Sequence, residues 1–82
     1  MAHLHYYAPL RGTIGHETDE APVTTVSEAL KFIKNSYGKA AYKTALSALI
    51  VINGTSINAC QGKKTALKDD DTLGFLPLAG GG

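Results

Sequence analysis

Hydrophobic and polar residues alternate at the start of this chain. Leu4, Tyr6, Ala8 and Leu10 fall on one face and His3, His5 and Tyr7 on the other, the two-residue period of a strand. The polar, glycine-bearing stretch from Arg11 to Glu20 reads as the connection of a wide hairpin, with a second short strand ending near Val23. The period then changes. Thr25-Val26-Ser27-Glu28 is a capping-box pattern, in which Thr25 caps the helix and Glu28 returns a bond to the cap's own backbone N–H. Val26, Ala29, Leu30, Ile33 and Tyr37 follow at helical spacing as one apolar stripe, and Gly38 is a natural stop.

Lys39 to Ser47 fits either a short helix or an ordered loop. Ala48 to Ile52 is a continuous apolar run, which predicts a central strand buried on both faces. Asn53-Gly54 is a hairpin-turn signal, Thr55 to Ala59 the returning strand, and Gln61 to Lys68 a polar connection. Asp69-Asp70-Asp71 marks a turn before a last strand, Leu73 to Leu78. Pro77 has no N–H for the ladder, so regular pairing is expected to fail there. The order is strand, strand, helix, strand, strand, strand. It predicts an α+β fold, one main helix on one face of a mixed sheet of four to five strands. The other face, bearing Tyr7 and Leu76, is left uncovered.

Composition narrows the function classes. The chain of 82 residues holds one domain, with too little interior for a deep private active site. A net charge of +1 argues against a duplex nucleic acid partner. Cys60 is the only cysteine, so there is no internal disulfide and no zinc site on paired cysteines. Neither a signal peptide nor a membrane span is legible, and the expected location is cytoplasmic with no membrane partner.

A few further residues have chemistry-bearing side chains. His3 and His5 share a strand face but lack a further ligand set, which fits a solvated strand end better than a metal site. Cys60 has no assignable base or cation beside it, so a structural thiol is the simpler reading. Lys63, Lys64 and Lys68 suit a solvated basic face. Gly62-Lys63-Lys64-Thr65 faintly resembles a phosphate loop, yet the earlier glycine that loop requires is Ile57. No bound cofactor and no catalytic triad is indicated. The chain closes on Ala79-Gly80-Gly81-Gly82. Taken alone, this run describes a frayed end as well as a functional one.

Joined to the elements before it, the run carries a resemblance. The chain resembles the small, sulfur-carrying subunit of molybdopterin synthase, within the ubiquitin-like (β-grasp) family that includes the thiamin sulfur carrier. The segment Tyr6-Tyr7-Ala8-Pro9-Leu10-Arg11-Gly12-Thr13-Ile14-Gly15 is similar to the family's opening. Thr25 to Leu30 matches its helix start and Val51 to Gly54 its hairpin. Leu67 to Leu73 is similar to its Leu-x-Asp-Gly-Asp-x-Val turn, with Asp70 in place of the glycine. Phe75-Leu76-Pro77 followed by the glycines is similar to its Phe-x-Pro-x-x-x-Gly-Gly ending. Gly80, the first of three glycines, is shared with some thiamin carriers rather than with the molybdopterin branch.

The resemblance implies a β-grasp domain over residues 1–78 and a flexible tail over 79–82. It implies that the chain is not an enzyme by itself. An E1-like adenylating enzyme uses ATP on the carboxylate of Gly82, sulfur replaces AMP as a thiocarboxylate, and the sulfur passes to a pterin precursor. Gly82 and Gly81 are the reacting end, and Gly80 and Ala79 give access. Tyr7, Leu76, Pro77 and Leu78 are implied to face the molybdopterin synthase large subunit. Arg11 matches a basic residue of the family. The tail's physics agrees: residues 79–82 reach about 13 Å when extended, and glycine lets a backbone approach a nucleotide closely. Three other readings stay open: a thiamin sulfur carrier, a ubiquitin-like protein modifier, and a β-grasp binding module with an inert tail.

Overall fold

A computed structural model describes residues 1–57 and 61–77. Leu78, Ala79, Gly80, Gly81 and Gly82, and with them the expected boundary between domain and tail, lie outside the described residues, as does Cys60.

Strand β1 (Ala2–Tyr6) buries Ala2, Leu4 and Tyr6 on one side. It ends four residues earlier than its alternation predicted. The chain instead enters a short helix, α1 (Leu10–Ile14), inside what read as an irregular connection. Leu10 is buried, but as the anchor of this helix rather than as a strand residue. A single turn holds too few residues to show a helical period, which is why the pattern missed it. Gly15 closes α1 at φ 98°, a left-handed position suited to glycine. Strand β2 (Thr18–Ala21) then runs antiparallel to β1.

Helix α2 (Val26–Tyr37) starts where its cap predicted, with Thr25 Oγ1 accepting from the Glu28 amide at 3.1 Å. Glu28 reaches one residue further back than a capping box requires. Its Oε1 accepts from the Thr24 N–H at 2.7 Å and the Thr24 hydroxyl at 2.9 Å. Those bonds, the backbone one foremost, hold its carboxyl below the usual range. Val26, Ala29, Leu30 and Ile33 face the sheet. After Gly38 the ambiguous stretch is helical: α3 (Lys39–Ser47) buries Ala41 and Ala45 in the same core.

Strand β3 (Leu49–Ile52) is half the expected case. Ile50 is buried and Ile52, on the same face, packs half-buried against the core, while Leu49 and Val51 are half-buried on the face that no helix covers. The Asn53-Gly54 turn has φ 50° and 88°, as a two-residue type I′ hairpin requires. Strand β4 is only Thr55–Ser56. Ile57 follows, buried, and Asn58 and Ala59 of the expected strand lie outside the described residues. A 3-10 turn (Gly62–Lys64) and buried Leu67 occupy the polar connection.

Strand β5 (Thr72–Leu76) stops before Pro77, as expected. The sheet order is β2-β1-β5-β3-β4. The most interior strand is therefore β5, not β3. It runs parallel to β1 and antiparallel to β3. Leu4, Tyr6, Leu73 and Phe75 meet the helices, and the Tyr6 and Phe75 rings lie 5.9 Å apart between centroids. This is the β-grasp, ubiquitin-like arrangement. Among the described residues, no helix is long and apolar enough to cross a membrane.

Candidate functional site

The central strand β5 delivers the chain to one end of the sheet, and Pro77 is exposed there. Parallel pairing of Tyr6 with Phe75 sets Tyr7 beside Leu76 on the face that no helix covers. Tyr7 is fixed through its backbone. Its N–H donates to the Phe75 carbonyl at 3.3 Å, and its own carbonyl accepts from the Arg11 N–H of α1 at 2.9 Å. The unforeseen helix thus has a role in the site, because it holds the backbone that presents Tyr7. The side chain remains 42% exposed, one of few large apolar groups so open.

A groove of about 540 Å³ runs from this point around the end of the sheet. Tyr7, Pro9, Leu76 and Pro77 form one wall, and Lys43 and Ser47 of α3 form the other. Leu76 and Pro77 thereby stand next to Tyr7, at the root of the tail. Leu78, Ala79, Gly80, Gly81 and Gly82 continue beyond the described residues.

Gly74 was not read as part of the site. A β-carbon built on it would lie 3.1 Å from Val51 Cγ2 and 3.8 Å from Tyr7 Cε2. The bare backbone at Gly74 leaves room for both Val51 and the Tyr7 ring to pack over it. A glycine inside an apolar strand was the available signal. Lys43 and Ser47 were missed for a different reason. They lie far from the tail in sequence, and only the tertiary fold brings α3 to it.

Two other candidates, Arg11 and His3, have carboxylate neighbours. Arg11 Nη1 sits 3.5 Å from Glu17 Oε1, both exposed, and braces the first loop. His3 stands between two carboxylates, 3.3 Å from Glu20 and 3.4 Å from Asp70. Among the described residues, no three His, Cys, Asp or Glu side chains gather as metal ligands. Asp70 adopts φ 69°, the left-handed conformation that glycine takes in the resembling turn. Asp71 locks that turn to the hairpin by accepting from the Lys68 N–H at 2.8 Å and from Asn53 Nδ2 at 3.0 Å.

On the opposite side of β1, one carboxylate gathers three side chains. Asp19 Oδ2 accepts from Tyr6 at 2.9 Å, from Tyr37, and lies 3.1 Å from His16 Nε2. Burial pushes the Asp19 carboxyl up, but the bonds from Tyr37, His16 and Tyr6 together outweigh it and hold it low. Burial and the same carboxylate raise both phenols, Tyr37 to about 12. This network fastens β2 and α2 to β1 and has no access to the groove.

Comparison with known families decides the identity. The description of the ThiS family matches residues 4–82, a span that takes in the second half of β1, the groove residues and the glycine tail. The chain belongs to the ThiS family. No curated protein matches the sequence. Among solved structures, the small archaeal modifier protein 1 of Methanosarcina acetivorans is 26% identical, with TM-score 0.86 over 99% of this chain and 95% of that one. CysO of Amycolatopsis orientalis, solved in complex with BexX, is 21% identical with TM-score 0.84 over the whole of both chains. Subunits 1 and 2 of the molybdopterin-converting factor of Helicobacter pylori, also solved as a complex, give 23% identity and TM-score 0.69 over 99% of this chain and 97% of that one. This ThiS-family chain thus has the ubiquitin-like fold of the small sulfur carriers.

Proposed function

We propose that this carrier serves molybdopterin, or the related tungsten cofactor, biosynthesis, with Gly82 as the residue that bears the sulfur. The supporting observation is geometric. The interior strand β5 ends at Leu76, and Pro77 follows on the rim of a mainly apolar groove beside Tyr7, with Leu78 to Gly82 still to follow. A partner seated on that rim receives the tail. An E1-like enzyme adenylates the Gly82 carboxylate with ATP that this chain does not itself bind. Sulfide equivalent from a donor displaces AMP to leave a thiocarboxylate. The larger synthase subunit, docked against Tyr7, Leu76, Pro77 and Leu78, then passes the sulfur to a pterin precursor. Gly81, Gly80 and Ala79 leave the reacting carbon unobstructed. The cytoplasm, where such precursors are made, is the proposed site of action.

Removal of Gly81 and Gly82 tests the reading. It is expected to abolish sulfur transfer while leaving the melting curve unchanged; retained transfer contradicts it. Capture of a thiazole synthase in place of a molybdopterin synthase large subunit moves the acceptor to thiamin synthesis.

The likeness to a small archaeal modifier protein favours a second reading, in which Gly82 ends in an isopeptide bond to a lysine of another protein. Adducts in lysate that disappear on Gly82 deletion, without sulfur delivery, select it.

A further inference from the structure

We infer that the docking surface does not stop at the sheet but wraps around its end onto α3, where Lys39 and Lys43 engage an acidic segment of the E1-like enzyme. The inference rests on the proposed tail chemistry for the identity of that partner. Its structural basis is independent.

The acidic residues of this molecule cluster in a few places. Glu17, Asp19 and Glu20 lie on β2 or just before it, and Asp69, Asp70 and Asp71 lie in one turn. The remaining acid, Glu28, is held by Thr24 at the start of α2. Helix α3 has no acidic residue, yet carries Lys39 and Lys43 four residues apart, hence on one side of it. Both are exposed, and among the described residues neither forms an ion pair. Lys34 of α2 differs, since its ammonium lies over the Tyr42 ring at 5.3 Å.

Lys43 also lines the groove, opposite Tyr7 and Pro77. The groove therefore presents an apolar floor with a cation and no carboxylate on its α3 rim. Leu46, 37% exposed, adds an apolar group on the next turn of the helix. Such a surface complements an apolar side chain flanked by carboxylates. The proposed tail chemistry supplies the partner. Residues 78–82 span at most about 17 Å, so a protein holding the Gly82 carboxylate must place its body against the groove from which Pro77 emerges. A nucleic acid fits less well. Two lysines beside an apolar groove offer few phosphate contacts, and Tyr42 is half-buried rather than free to stack.

The test is a binding titration of the full chain into its cognate E1-like enzyme at low and high salt. K39E/K43E is expected to bind about tenfold more weakly than wild type at low salt and to lose the salt dependence. K39R/K43R restores binding, and K31E/K34E on α2 changes it by no more than about twofold. Circular dichroism and melting establish that each variant is folded; should K39E/K43E not fold, K39Q/K43Q replaces it with the same expected direction. Equal binding by wild type and the α3 variant overturns the inference. So does absence of wild-type binding, or an equal loss in K31E/K34E, or binding of RNA that depends on Lys39 and Lys43 while enzyme binding does not. Adenylate formation is read separately: tight, lysine-dependent binding without adenylation defeats the tail chemistry and leaves this docking surface standing.

Discussion

The amide of Tyr7 donates to the carbonyl of Phe75 at 3.3 Å, carrying the β1–β5 pairing one residue past the end of β1. That bond places the Tyr7 ring beside the strand from which the tail departs. Because the bond is a backbone one and the ring is exposed, Tyr7→Ala should leave the fold intact. Binding to the larger synthase subunit should weaken by about tenfold or more, as for an aromatic anchor. Calorimetric titration alongside a melting curve checks both halves. A large loss of stability, or unchanged binding, contradicts the assignment.

Gly74 leaves room for both Val51 and the Tyr7 ring to pack over it. Gly74→Val should force both away from the backbone and destabilise the domain by about 2 kcal/mol, the range of overpacked sites. Partner binding should fall further than stability alone explains, because Tyr7 moves. Denaturant midpoints and the same titration measure the two effects.

Asp19 makes the fold sensitive to acid in a defined way. Its folded pKa is lowered by the bonds from Tyr37, His16 and Tyr6 despite burial, whereas an unfolded aspartate titrates at about 3.9. Its stabilisation is therefore complete above that unfolded value and is lost as pH falls through the lower folded one. Asp19→Asn should cost about 2 kcal/mol at neutral pH, as for hydrogen bonds to a charged group. The wild-type and variant stability curves should converge as the solution is acidified. Curves that stay parallel down to pH of about 2 would contradict the account.

The same cluster predicts the alkaline side. Tyr37 is raised to about 12 by burial and by Asp19, from an ordinary phenol value near 10. Its contribution is present below the unfolded value and is lost as pH rises through the folded one. Stability measured against pH should fall more steeply above about pH 10 in wild type than in Tyr37→Phe.

Asp70 adopts φ 69°, a conformation open to aspartate but strained for a β-branched residue. Asp70→Val should therefore destabilise the domain by about 1–2 kcal/mol, while Asp70→Gly should be tolerated. Thermal melting of the pair distinguishes backbone strain from loss of the weak His3 contact, which both variants share.

Where sequence and structure agree, a strong local signal is at work. Thr25 and Gly38 bound α2, Asn53-Gly54 fixes the hairpin, and Pro77 ends β5, each through its own backbone chemistry. Tyr7 and Leu76 share the open face, as the strand alternation implied. Where the two differ, the deciding interactions are tertiary. Helix α1 exists because Leu10 finds the core, which no period over one turn reveals. Strand β3 is apolar throughout although only Ile50 is fully buried, because Leu49 and Val51 lie on the sheet face that no helix covers. The groove joins Tyr7 to Lys43 across residues distant in sequence, so α3 could not be read as part of the site.

The central claim concerns Gly82, and intact mass spectrometry tests it most directly. The chain would be incubated with ATP, its cognate E1-like enzyme and a sulfur donor. The account predicts a mass change equal to replacement of one carboxyl oxygen by sulfur, lost when Gly82 is removed. An unchanged mass, with the enzyme shown to be active on another carrier, would contradict it and leave a β-grasp binding module.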